Sequence, residues 1–262
     1  MGQYICKDRF KDYVVLVTGA GNGLGQACAV RFAQEGAFVL VADIEEKGIV
    51  ETREKIKNIG GVSEGYNLDI TKVDMVDRTV AEMIEKHKKI DVLLNSAGVS
   101  IENRLEDITI EEWLLHINVN LNGSFYITRP VLKNMKERKF GKIIYISSKS
   151  GIIGRPRRTA YSAAKFGVNG LTQALALEVA KDGITVNSIC PSRVETRMLE
   201  SVLVGRAKKF NIPYEEVREE HRQSIPVGRL GRPEEIASVA VFLASEDATY
   251  VTGQFISASG GR

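Results

Sequence analysis

The chain has no uninterrupted apolar stretch near the ~18 residues that a membrane-spanning helix needs. Its opening, MGQYICKDRFKD, is too polar for a secretory signal, and Cys6 stands where a myristoylation signal wants Ser or Thr. Only three cysteines occur, Cys6, Cys28 and Cys190, dispersed and without a CxxC pair. An odd, scattered set argues against a disulfide framework and fits reduced thiols in a cytoplasmic protein. The three histidines, His87, His116 and His221, lie far apart and lack the spacing of metal ligands, so no metal is expected. Neither sign of charge dominates: 36 basic against 33 acidic residues leave +3. That balance carries no footprint of nucleic acid or a membrane. Ser148 has no histidine at a suggestive spacing, which argues against a hydrolase.

What is present reads as one folded unit. Of 262 residues, 44% are hydrophobic and 26% charged, ordinary proportions for a globular chain. Strand-like runs, YVVLVTG, AFVLVAD, DVLLNSAG, KIIYISS, ITVNSICP and GQFISASG, with a weaker one at SEGYNLDI, are separated by helix-like segments. These segments include LGQACAVRFAQEG, KVDMVDRTVAEMIEKHK and PEEIASVAVFLASE, the last with Pro in its first turn. Runs of Val, Ile and Leu with little alternation predict strands buried on both faces. Repeated strand–helix alternation then predicts an α/β fold, a doubly wound parallel sheet with helices on both sides. No linker, repeat or low-complexity stretch divides the chain.

After the first strand comes TGAGNGLGQA, with Gly19, Gly21, Gly23 and Gly25. The spacing is not GxGxxG, because Leu24 and Gln26 hold the third-glycine positions. Four glycines opening a helix still let backbone N–H groups approach a pyrophosphate, where a single glycine would be read as a plain turn. Asp43 ends the second strand, placed to accept from an adenosine ribose 2′-hydroxyl and to repel a 2′-phosphate, which favours NAD over NADP. Further on, Tyr161 and Lys165 stand four residues apart at the start of a long apolar helix, hence on one face. A nearby cation favours a phenol's ionised form, so the pair is a candidate acid/base device. Gly167 and Gly170 inside that helix each cost about 1 kcal/mol relative to Ala, which predicts close approach of another backbone, with the segment 111–139 as a candidate.

TGAGNGLG, NSAG (95–98), Ser148 with Tyr161-Ser-Ala-Ala-Lys165, and GRPEEIASVAVFLASEDATYVTGQ, in this order and spacing, resemble the short-chain dehydrogenase/reductase family from about Tyr13 onward. The resemblance implies a single Rossmann-like domain with a seven-stranded parallel sheet, a nicotinamide cofactor and a homotetramer. It implies that Tyr161 is the acid/base and that Lys165 lowers its pKa while holding the nicotinamide ribose. Ser148 would bond the reacting oxygen, and Asn120, rather than Asn118, would hold a water of the proton relay. For the cofactor it implies Gly19, Asn22, Gly23, Leu24 and Gly25 at the phosphates and Asp43 at the ribose. Asp69 and Ile70 would flank the adenine, Asn95, Ala97 and Gly98 would lie beside the cofactor, and Pro191, Val194 and Thr196 would meet the nicotinamide amide. Gly167 and Gly170 would lie in a helical subunit interface. Ser96, Ser192 and Ser259 depart from the family pattern, and Ser192 would matter if a positive φ were required there.

The expected reaction is hydride transfer between NAD(H) and a secondary alcohol or ketone of small size. Alternatives are a 3-oxoacyl-carrier-protein reductase, which usually carries a basic residue where this chain has Asn22, and a non-catalytic dinucleotide-binding sensor or scaffold. The complete set Asn120, Ser148, Tyr161 and Lys165 argues against the last. Residues 1–12 read as an extension. Residues 197–226, rich in mixed charge, read as a solvated helix pair or a substrate-covering lid. Arg155 and Arg158, with Arg157 and Lys149 nearby and Arg193 and Arg197 in the following loop, are candidate contacts to an anionic substrate group.

Overall fold

A computed structural model describes residues 5–261. Seven strands, β1 (Val14–Thr18), β2 (Phe38–Asp43), β3 (Val62–Asn67), β4 (Val92–Asn95), β5 (Gly141–Ile146), β6 (Ile184–Pro191) and β7 (Phe255–Ala258), form one sheet in the order β3-β2-β1-β4-β5-β6-β7. Every pairing is parallel. Parallel neighbours need crossovers, and the helices supply them: α1 (Gly23–Gln34), α2 (Glu46–Asn58), α3 (Val73–His87), α4 (Ile110–His116), α5 (Gly123–Arg138), α6 (Thr159–Val179), α7 (Arg197–Phe210), α8 (Tyr214–Gln223) and α9 (Pro233–Ala244).

The unalternating strands have a direct cause. Side chains along a strand alternate between faces, so a sheet covered on both sides requires apolar residues at every position. Val15 and Val17 enter the core shared with Phe32 of α1, Ile49 of α2 and Val241 of α9. Val14 and Leu16 enter the opposite core with Val80 of α3, Val131 of α5 and Val168 of α6. The weakest strand in the sequence, β3, is an edge strand, where Val62 is exposed. Phe10, within the segment read as an extension, is fully buried against Phe32, and its N–H donates to the Glu35 carbonyl.

The glycines of the long helix part company. A Cβ on Gly167 would come within 2.8 Å of Leu121, inside the segment expected to approach it, whereas Gly170 faces open space. Strand order reverses between β1 and β4, whose outward windings open a crevice at the carboxyl ends of the strands.

Candidate active site

The turn after β1 is built on close backbone approach. Gly19 and Gly23 have positive φ, and a Cβ on Gly19 would lie 2.5 Å from the Ala97 nitrogen. Gly25 packs over the Gly19 carbonyl, where a Cβ would lie only 2.0 Å from the Gly19 oxygen, so its service is to let α1 dock rather than to line the cleft. Asn22 is the N-cap of α1 but makes no side-chain cap bond, and the first turn carries no acidic residue. The free amides and the helix dipole at Gly23 and Leu24 therefore point into the crevice, as an anion would require. This suits the pyrophosphate of a dinucleotide.

Asp43 is buried at the rim. Its Oδ2 accepts the Gly21 N–H at 2.7 Å and its Oδ1 the Glu45 N–H at 2.9 Å. Two backbone donors fix the carboxylate, and each oxygen keeps a lone pair for a ligand hydroxyl. Asp69, held by Thr71, and Ile70 line the same end.

Across the cleft, α6 carries Tyr161 and Lys165. The Lys165 Nζ donates to the Ile146 carbonyl at 2.8 Å and stands 5.7 Å from the centre of the Tyr161 ring. Burial raises the Tyr161 pKa, while a hydrogen bond from Ser148 and the charges of Arg158 and Arg155 oppose that rise. Ser148 itself accepts the Ser150 N–H.

Asn120 lies in a π-helical turn, Ile117–Asn122, between α4 and α5. Such a turn rotates one side chain out of α-helical register and is common at functional sites. The buried Asn120 donates to the Val99 and His116 carbonyls at 3.0 Å each and accepts the Val99 N–H at 3.2 Å. Asn118 is exposed, bonded to Asn122. A histidine with no evident role in the sequence supports this corner. His116 Nε2 accepts the Ile101 N–H and its Nδ1 donates to the Glu112 carbonyl, which fixes the tautomer and pins the loop after β4.

These groups share one cleft of about 1080 Å³. It is lined by Asn120, Ser148, Tyr161 and Lys165, and by Gly19, Asn22, Gly23, Leu24, Asp43, Asp69, Ile70, Ala97, Gly98, Pro191, Val194 and Thr196. Asn95 does not reach it: its amide donates to Ser124 and its oxygen accepts from Thr18, tying β4 to β1 and α5. Arg155, Arg157, Arg158 and Arg193 do line it, whereas Arg197 turns away toward Glu45 and Glu51. Arg158 is paired with Glu102. The residues 197–226 form the helices α7 and α8, which contribute Met198, Leu199, Val202, Arg206, Phe210 and His221 to the wall. No periodicity in that segment marks which of its polar residues face inward. Ser192 does not adopt a positive φ, so it replaces glycine without backbone strain.

The family model described as enoyl-(acyl carrier protein) reductase matches residues 19–262. The chain belongs to the short-chain dehydrogenase/reductase family. It is thus an oxidoreductase of a family that binds nicotinamide dinucleotides. It is 39% identical to the 3-oxoacyl-(acyl-carrier-protein) reductase FabG of Thermotoga maritima over 97% of this chain and 98% of that one. Among solved structures, levodione reductase superposes with a TM-score of 0.92 at 33% identity, covering 96% of this chain and 98% of the other. Actinorhodin polyketide ketoreductase with NADPH gives 0.93 at 35%, covering 97% and 98%.

Burial lowers the Lys165 pKa from 10.5 to about 8. Between those values the unfolded chain binds more protons than the folded one, so stability attributable to Lys165 rises with pH across that window. Below about 8 the full desolvation penalty is present, on the order of 3 kcal/mol. Lys165→Met should therefore stabilise the cofactor-free protein at pH 7 by about 1–3 kcal/mol, net of the lost bond to Ile146. Urea unfolding at pH 7 and pH 10 checks this: the gain should shrink at the higher pH.

Proposed function

We propose that this family member is an NAD-dependent dehydrogenase/reductase that interconverts a small secondary alcohol and its ketone, with Tyr161 as acid and base. The observation that carries the reading is the Tyr161 phenol, buried in the cleft with the Ser148 hydroxyl and the Lys165 ammonium both beside it. When bound, the nicotinamide supplies the hydride chemistry. The protein supplies position and charge. Ser148 donates to the reacting oxygen and holds it at the Tyr161 hydroxyl. Tyr161 takes the proton in oxidation and returns it in reduction. Lys165 favours the phenolate and binds ribose hydroxyls, and Asn120 anchors a water through which protons leave.

The uncapped start of α1 would seat the pyrophosphate. Ile70 would pack on the adenine with Asp69 beside it, Ala97 and Gly98 would border the ribose, and Pro191, Val194 and Thr196 would border the nicotinamide amide. The acidic rim of Asp43 and Glu45, with no cation at Asn22, supports NAD. A second reading, a 3-oxoacyl-carrier-protein reductase, is favoured by the 39% identity to FabG, and it predicts an NADPH preference and activity on acyl thioesters.

A homotetramer also fits. On α6, Phe166, Gly170, Ala174 and Leu177 form an outward stripe, with Leu177 85% exposed, and Phe125 of α5 is exposed as well. Large apolar groups around small ones suit close packing of helices from two subunits. The free thiols, with Cys28 and Cys190 buried, suit the cytoplasm.

Four outcomes are expected. Tyr161→Phe should lower kcat by about 10²–10⁴-fold with NADH affinity nearly unchanged, read by steady-state rates and NADH fluorescence. Alcohol oxidation by the wild type should accelerate with rising pH as the phenol ionises. NAD⁺ should exceed NADP⁺ in kcat/KM, and Asp43→Ala should narrow that ratio by about tenfold or more through loss of an acceptor and of like-charge repulsion; a wild-type preference for NADP⁺ would refute the NAD assignment. Gly170→Arg should reduce the mass measured by light scattering from that of a tetramer to a smaller species.

A further inference from the structure

The buried hydroxyls of Ser100, Ser162 and Ser192 have no hydrogen-bond partner among the described residues, and two of these serines, Ser100 and Ser192, line the cleft. A buried hydroxyl left unmet costs free energy until a partner arrives, so two in one cleft wall mark where a ligand bonds. Strand order sets them on opposite sides of Ser148. β5 lies between β4 and β6, and the three parallel chains leave the sheet at the same end. Ser148 follows β5, Ser100 follows β4, and Ser192 comes directly after Pro191, the last residue of β6. Neighbouring strands run about 4.8 Å apart, so the three serines rise from one narrow stretch of the sheet's carboxyl end.

Both flanking serines are held at the backbone beside the reacting groups. On one side the Val99 N–H donates to the Asn120 Oδ1 at 3.2 Å and the Ile101 N–H to the His116 Nε2 at 3.0 Å, which fixes Ser100 from before and after. The His116 ring meets the Tyr161 ring edge-on with 6.3 Å between centres, and a Cβ on Gly98 would lie 3.6 Å from the Lys165 Nζ. On the other side the Ser192 N–H donates to the Ala258 carbonyl at 3.4 Å, and the Gly231 N–H donates to the Arg193 carbonyl at 2.9 Å. Cys190, two residues earlier, touches Asn169 of α6, one turn beyond Lys165.

We propose that the substrate is a polyhydroxylated ketone and its alcohol, with a hydroxyl next to the reacting carbon on each side, one seated by Ser100 and the other by Ser192. The proposal rests on the hydride-transfer reading above and specifies its substrate. With the reacting oxygen at Ser148 and Tyr161, the two carbon substituents of a ketone diverge to either side of it, toward the two serines. A serine hydroxyl both donates and accepts, as a substrate hydroxyl does, so each pair can satisfy both members without a charge. An apolar substituent would leave the serine unmet, which is how a polar site rejects an analogue lacking the hydroxyl.

The test uses the NADH complex with acetone, hydroxyacetone and dihydroxyacetone, which differ by one hydroxyl per step, and with 2-pentanone against xylulose. Binding is read by quenching of bound NADH fluorescence, and turnover by NADH oxidation. Each added hydroxyl should tighten binding about tenfold, so xylulose should exceed 2-pentanone by about a hundredfold. Ser100→Ala and Ser192→Ala should each weaken dihydroxyacetone about tenfold, to the level of hydroxyacetone, which can turn to use the serine that remains. The double variant should bring all three small ketones within about threefold, with NADH affinity retained throughout. Because alanine removes a buried hydroxyl that has no partner, neither single variant should unfold at a lower urea concentration than the wild type. Apolar ketones binding as well as hydroxylated ones, no binding of dihydroxyacetone or xylulose at about 100 mM, binding steps that survive in the double variant, loss of NADH affinity, or lowered urea stability would each overturn the proposal. A hydroxylated ketone that binds in a serine-dependent way but is not reduced would uphold the two hydroxyl seats and count against the hydride-transfer reading.

Discussion

A single ammonium organises the active end of this fold. Lys165 reaches from α6 under the floor of the cleft to the carbonyl of Ile146, the last residue of β5. That bond sets the height of the helix against the sheet, and neighbouring contacts fix its register. Ser147 donates to the Lys165 carbonyl, Asn169 donates to Gly151, and Ser188 of β6 donates to Asn169. Gly151 permits the approach, since a Cβ there would lie 2.7 Å from the Lys165 oxygen. Ser148 sits inside this clamp and Tyr161 one helical turn before its centre, so their relative placement follows from backbone packing rather than from flexible side chains. The clamp charges the folded state for a buried cation, and the large core on both faces of the sheet offsets that penalty.

A second anchor faces the first. The π-helical turn presents Asn120 to the loop after β4, and His116, one turn earlier, holds the same loop through Ile101. Glu102 then reaches across to Arg158 at the N-cap of α6. The two walls are thus joined above the floor by an ion pair and below it by the parallel pairing of β4 and β5. Side chains held this way need little reorganisation when a substrate arrives, which is the basis of electrostatic preorganisation.

Charge divides the cleft into two environments although the chain as a whole is nearly balanced, at +3. The division arises because consecutive crossovers deliver their loops to one edge. The turns after β2 and β3 bring carboxylates, and the loops after β5 and β6 bring guanidinium groups. Net charge is silent about this arrangement. The same topology places α7 and α8 over the basic end, where Leu203 and Val217 are buried and polar neighbours such as Arg206 and His221 turn inward.

Local sequence determined the elements. Buried parallel strands require unbroken apolar runs, four glycines in one turn signal a backbone that must come close to something, and a Tyr-Lys pair at helical spacing must share a face. These signals are short in range, and all seven strands, the glycine turn and the shared face of Tyr161 and Lys165 could be read from them. Tertiary structure alone decided what depends on contact between distant segments. It withdrew Asn95 into a tie between β1, β4 and α5, and it made Gly25 a packing glycine rather than a cleft residue. It turned Arg197 outward to Glu45 and Glu51 while pairing Arg158 with Glu102, 56 positions away. It also gave His116 a purpose. A side chain's direction and its partner are set by the rotation of its helix and by the loop that lands opposite, and neither is written in the residues on either side of it.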